Sequence, residues 1–169
     1  MTKQPPPTSD GRRRPALRRL RRWLGLLAAR AFFRAVPHVR RIGLRPVAVR
    51  RRGLVARLPF RQELIGDPWR GQLHGGAVTT LVDQTSGTAA SFAVFPPNVV
   101  ATLDLRLDHL RPAVPGRDVF AEAEAFRVTR HVIFVRCTAH DGDPADPIAY
   151  GTASFMRNGL LPGGLFGRR

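Results

Sequence analysis

One short segment of the chain concentrates residue types that can do chemistry. Gly71-Gln72-Leu73-His74-Gly75-Gly76 is followed by Ala77–Val82 and then by Asp83. Two glycines at the start of an apolar-periodic run put bare backbone at a helix N-terminus. The first N–H groups of a helix have no partner within it and carry the positive end of its dipole. With no Cβ in the way, a carbonyl can come close to them. The amide of Gly75, and after it that of Gly76, is therefore a candidate donor to an oxygen that gains negative charge during acyl transfer. The same glycines also suit a plain, tight loop-to-helix turn.

Asp83 is the only acid in the helical run and stands among Leu81, Val82, Gln84 and Thr85. A carboxylate there can act as general base toward water or attack an acyl carbon directly, and both routes stay open. Gly75 and Asp83 lie roughly 12 Å apart along a helix that rises about 1.5 Å per residue. One carbonyl does not easily touch both within a single chain, so the pair is expected to meet across two copies. His74 is read as a hydrogen-bonding residue that fixes the loop, since no serine or cysteine nucleophile stands at a suggestive spacing. Cys137, the only cysteine, alternates within a strand-like run and is expected to be buried and inert.

These residues need a scaffold. Leu44–Arg52 and Leu54–Phe60 read as two strands in a hairpin, and Gly66–Gly71 as a loop. Residues 75–94 read as a helix whose apolar stripe is Val78, Leu81, Val82, Thr85, Ala89 and Phe92. Its other faces are small, as at Gly87, Ala90 and Ser91, which suits a helix buried on most sides. After Pro96-Pro97 come four strand-like runs, Val99–Arg111, Arg117–Phe126, Thr129–Ala139 and Ile148–Met156. In the first of them Leu103, Leu105 and Leu107 alternate with Asp104, Arg106 and Asp108. Short connections imply an antiparallel sheet, and one helix must cover it. The expected fold is α+β, a curved sheet wrapped around one long helix, with open edges that dimerisation would close.

The 169 residues suit one domain, and the hydrophobic share of 43% excludes wholesale disorder. No apolar run is long enough to span a bilayer. The net charge of +16 is lopsided: residues 1–52 hold 16 of the 28 Lys and Arg and one acid, Asp10, while 53–169 are near neutral. Residues 1–25 are expected to be a disordered basic tail and the start of an amphipathic helix, 26–159 the folded domain, and 160–169 a loose tail. In the helix Leu17, Leu20, Leu24, Leu27 and Ala31, with Trp23 beside them, share a spacing, and Arg18, Arg19, Arg21 and Arg22 take the other side. That stripe could pack on the chain's own domain or lie on an anionic membrane surface, and an Arg-rich leader also fits a targeting segment. No nucleic-acid motif accompanies the charge. A cytoplasmic location is expected.

His-Gly-Gly opening a helix, with an acid seven residues after the second glycine, does not stand alone. Thr80-Leu81-Val82-Asp83, Thr102-Leu103-Asp104-Leu105, Leu110-Arg111-Pro112 and Ala149-Tyr150-Gly151-Thr152-Ala153-Ser154-Phe155 accompany it. Over about residues 30–157 this resembles the PaaI-type acyl-CoA thioesterases of the hotdog fold. The resemblance implies a curved antiparallel sheet of about five to six strands around one central helix, and a homodimer or dimer of dimers. It implies hydrolysis of an acyl-CoA to free acid and coenzyme A at a site on the dimer interface. Asp83 would be base or nucleophile, the Gly75 amide the oxyanion donor, and His74 and Gly76 part of the same catalytic loop. Thr102 matches a position where relatives carry a hydroxyl near the thioester, and Gln84 is grouped with it on the substrate. No cofactor is implied beyond the coenzyme A of the substrate. One departure stands out. Relatives often carry Asn-Pro in the loop before His-Gly-Gly, where this chain has Asp67-Pro68. An ionised carboxylate cannot donate a hydrogen bond and repels an oxyanion, so Asp67 turns away, binds the water or weakens catalysis.

Arg70, Arg111, Arg157 or residues of the basic extension are candidates for the coenzyme A phosphates, and Trp69, Phe92, Phe95 and their neighbours for the acyl chain. A hydratase-like pair of Asp104 and His109 is disfavoured, because their spacing in a strand puts them on opposite faces. The non-enzymatic alternative is a hotdog dimer that binds acyl-CoA or attaches to membranes through its basic helix.

Overall fold

The structure is a computed structural model that describes residues 13–160. Residues 1–12 of the expected tail and helix start, and all but the first residue of the expected C-terminal tail, lie outside the described residues. Helix α1 (Arg13–Ala35) and the short α2 (Pro37–Ile42) precede a hairpin of β1 (Arg45–Arg50) and β2 (Gly53–Leu58). A two-stranded ribbon follows, β3 (Ile65–Asp67) and β4 (Gln72–Leu73), which overlaps the start of the expected loop Gly66–Gly71 and closes just after its end. Helix α3 (Gly75–Phe92) leads into β5 (Asn98–His109), β6 (Val119–Val128), β7 (Val132–His140) and β8 (Ala149–Leu160). The six-stranded sheet runs β1-β2-β6-β7-β8-β5, with every neighbour antiparallel. This is the hotdog architecture.

Alternation explains how the sheet takes the helix. Val119, Ala121, Ala123 and Ala125 of β6 and Ile133, Val135, Cys137 and Ala139 of β7 are all buried. The alanines leave room for a helix to lie close to the strands. From α3, Val78, Leu81, Val82, Thr85 and Ala89 are buried, and Phe92 packs half-buried at the end. The approach is tightest at Gly151 of β8, where a Cβ would come within 2.9 Å of the Val82 side chain. Cys137 is inert as expected: burial pushes its thiol up to about 12. The outer face is polar, with Arg50 bidentate to Glu122 at 2.8 and 3.0 Å.

Of the places where the sheet's register shifts, one bears on the site. The β5–β8 register shifts between Thr102 and Asp104, so Leu103 is an extra residue, a bulge, and is exposed. Thr102 pairs with the buried Phe155 and Leu105 with the buried Ala153, so both face the helix. The two sheet edges also differ. Helix α1 packs on β1, whereas the 12-residue β5 has nothing along its outer edge among the described residues.

The loops at one end are clamped by Arg111. Its guanidinium spans both oxygens of the buried Asp141, at 2.8 and 3.0 Å, and reaches Asp146 at 3.0 Å. The Val114 N–H donates to the same Asp141 carboxylate at 2.8 Å. Arg111 hydrogen bonding above all holds the Asp141 carboxyl at about 2, below the ordinary 3.8. A carboxylate with a depressed folded value stabilises the fold above its unfolded value and ceases to as pH falls through the folded one. Asp141→Asn should destabilise the fold at pH 7, because it leaves the Arg111 guanidinium with Asp146 as its one remaining carboxylate partner. Urea unfolding should show that difference shrinking as pH drops from about 4 to about 2. A gap that stays constant with pH would mean the ion pair contributes nothing.

Candidate active site

The N-terminus of α3 is built by His74 and the ribbon beneath it. His74 is the N-cap, with φ −64° and ψ 132°, and its Nδ1 accepts from the Gly76 N–H at 2.9 Å. Its own N–H donates to the Leu64 carbonyl at 2.8 Å, which ties the cap to the preceding turn. Gly66 passes so close that a Cβ there would stand 2.8 Å from the His74 Cα. Gly76 is thereby removed from the pair of expected donors, since its amide is spent on the cap. The Gly75 N–H has no acceptor among the described residues. The two glycines also open on different sides. Gly76 borders a recess of about 380 Å³ shared with His38, Glu63, Ala77 and Thr80. Gly75 faces the imidazole of His109, whose Nε2 would lie 3.8 Å from a Cβ at that position.

Asp83 lies two turns further along α3, half-buried. Thr102 donates from Oγ1 to its Oδ1 at 3.0 Å, and Oδ2 has no partner among the described residues. The bulge at Leu103 makes this possible, because it lets Thr102 and Leu105 share the inner face. One carboxylate oxygen is fixed and the other is open, which suits a group that must take a proton or attack a carbon. Gln84 turns away and donates to Thr88 Oγ1 at 3.4 Å.

Asp67 is occupied by its own loop. Its Oδ1 accepts from the N–H groups of Trp69 and Arg70 at 3.0 and 3.2 Å, and its Oδ2 meets Arg70 Nη1 at 3.1 Å. Hydrogen bonding from Arg70 holds the carboxyl below the usual carboxylate range. Of the outcomes expected for this departure from Asn, the structure shows the first: the carboxylate turns into its loop.

The arginines expected at the phosphates are committed elsewhere. Arg70 serves Asp67, Arg111 serves Asp141 and Asp146, and Arg157 donates to Asn98 Oδ1 and to the carbonyls of Thr129 and Arg130. Trp69 and Phe95 are exposed and do not line the core. His109 was set aside with Asp104, and the two do face opposite ways. The parity that points Leu105 and Leu107 at the helix also carries His109 to the start of α3, which the sequence could have indicated.

The thioesterase superfamily model matches residues 70–148, a span that includes the His-Gly-Gly cap, Asp83 and Thr102. A candidate esterase of Halobacterium salinarum is 33% identical over 108 residues, 59% of this chain and 70% of that protein. The acyl-coenzyme A thioesterase THEM4 of Rattus norvegicus is 29% identical over 87 residues, 52% of this chain and 36% of that enzyme. A crystal structure of a Pseudomonas aeruginosa protein superposes with a TM-score of 0.72 at 45% identity, over 79% of this chain and 98% of that one. With the sheet, the helix and the capped glycine loop already in place, and with the hotdog fold shared with a PaaI protein among the solved structures, the chain belongs to the thioesterase superfamily as a thioester hydrolase.

Proposed function

We propose that the chain hydrolyses acyl-CoA thioesters at a site shared by two copies of itself. The observation that carries this is the state of α3: a free Gly75 N–H at its start, and two turns later a carboxylate with one oxygen pinned by Thr102. The distance between them exceeds what one carbonyl can bridge. Thr102 lies on β5, so Asp83 stands near the uncovered sheet edge, where a second copy can bring its own α3 alongside. The resemblance to a rat enzyme named as an acyl-coenzyme A thioesterase supports the substrate class.

In this reading the thioester carbonyl oxygen points at Gly75 of one protomer. Asp83 of the other takes a proton from water as the water oxygen bonds to the carbonyl carbon, or bonds to that carbon itself. Negative charge builds on the oxygen, where the amide and the helix dipole stabilise it. The carbon–sulfur bond then breaks, and coenzyme A leaves as thiolate and is protonated; on the second route a water then hydrolyses the acyl–Asp83 anhydride, which releases the acid and restores the carboxylate. His109 borders the place of the oxyanion, and His74 acts through the Gly76 amide by holding the cap. The reading invokes no further cofactor.

The test is release of free coenzyme A thiol from a panel of aromatic, short, medium and long acyl-CoAs. Turnover of at least one panel member at a rate above buffer hydrolysis is expected. Acyl-CoA binding without release from any member would overturn the proposal in favour of a binding dimer.

A further inference from the structure

Helix α1 has two apolar faces, and only one of them is used. Ala29 and Phe33 are buried in the core, and Gly25 lies so close to β1 that a Cβ would meet the Val49 side chain at 3.3 Å. The leucine stripe, for which packing and a membrane surface were both open, is on the other side. Leu20, Trp23, Leu24 and Leu27 are 51%, 57%, 51% and 41% exposed. At about 100° per residue, these four fall on one arc, roughly opposite Ala29. Arg19 and Arg30 border that arc on the Trp23 side and Arg34 falls within it at the C-terminal end, all exposed. The helix holds eight arginines and no acid.

We propose that this face docks on an anionic phospholipid bilayer, with the helix lying in the interface plane. An apolar stripe containing Trp and Leu, bordered by arginines, matches a surface that is apolar below and phosphate-rich above. The charge agrees: residues 1–52 carry nearly all of the chain's excess, whereas the rest is near neutral. A second copy of the chain fits poorly, because self-association through this face brings arginine-rich helices together. Duplex nucleic acid accounts for the arginines and leaves four large apolar side chains in water. No helix among the described residues is long and apolar enough to cross a membrane, so the contact is peripheral. Because α1 packs on β1, at the far edge of the sheet from β5, docking leaves Asp83 and Gly75 free.

The experiment uses the full chain, sedimented with phosphatidylcholine vesicles with and without phosphatidylglycerol. Partition is expected onto the phosphatidylglycerol vesicles alone, weakening as salt is raised. The emission of Trp23 should shift to the blue on binding, read in a Trp69→Phe background. Leu24→Ser with Leu27→Ser should lower partition about tenfold or more, since two exposed leucines lose their insertion into the acyl boundary. The same double variant should keep wild-type thiol release from soluble acyl-CoA and its helical circular dichroism. Three results would overturn the proposal: no partition at low salt, partition equal in the double variant, or an assembly mass that drops in the double variant without vesicle binding in the wild type.

Discussion

Asp83→Asn is expected to lower kcat for thioester hydrolysis by about 10³-fold or more, with KM and assembly nearly unchanged. Asparagine keeps the shape of aspartate and keeps a carbonyl oxygen that can accept the Thr102 hydroxyl, so the 3.0 Å bond that fixes the side chain survives. What disappears is the capacity to take a proton or to form an acyl bond at the open oxygen. General-base catalysis alone contributes about 10²–10⁴-fold, and loss of a nucleophile costs at least as much. Rates of thiol release against substrate concentration, with a thermal melt and sedimentation on the same samples, separate this from misfolding. A kcat within about tenfold of wild type, in a folded variant, would remove Asp83 from the chemistry.

Gly75→Pro should delete the oxyanion donor while leaving the helix in place. Proline is favoured at the first helical position, where its missing N–H breaks no bond of the helix. It requires an extended residue before it, and His74 is already extended, with φ −64° and ψ 132°. A Cβ at this position meets His109 only at ordinary contact distance, 3.8 Å. The expected loss is about 10²–10³-fold in kcat, the usual effect of removing one such donor. Gly75→Ala, which keeps the N–H, should retain most of the activity. The pair also tests the shared site. If Gly75→Pro and Asp83→Asn subunits exchange at random, half of the dimers are mixed and each holds one intact site. About a quarter of wild-type activity should return. Two nearly inactive variants that recover nothing after exchange would place both groups in one protomer.

Much of this was legible in the residues. Strand-like runs between turn signals located β6, β7 and β8, and the apolar stripe from Val78 to Phe92 located α3 almost to the residue. The His-Gly-Gly cap is a local feature, and its glycines and Asp83 could be read without tertiary knowledge. The missed features turn on rotamers and close contacts, which residue types and spacing do not fix. Whether an amide is free depends on a side-chain rotamer, and His74 turned its Nδ1 onto Gly76. Asp67 was judged by its charge, but three donors within its own turn decided its role. In α1 the repeating leucines gave the most regular spacing, yet the small residues Gly25 and Ala29 allowed closer contact with β1. Close approach won over hydrophobic bulk.

The extra residue at Leu103 gives β5 a phase. Upstream and downstream of it, inward positions fall on opposite parities of the numbering, so Thr102 and Leu105 both face α3 although an odd number of residues separates them. Loss of one residue at the bulge would leave the backbone hydrogen-bonding groups of the strand able to pair. Yet the Asn98–Thr102 half would then turn over against β8, or the Leu105–His109 half would. In the first case Asp83 loses its hydroxyl, and in the second Leu105 and Leu107 leave the core and His109 leaves Gly75. Substitutions at Leu103 are therefore cheap, because its side chain is in solvent, while a single-residue deletion there is ruinous. Along this strand the number of residues is under stricter constraint than their identity.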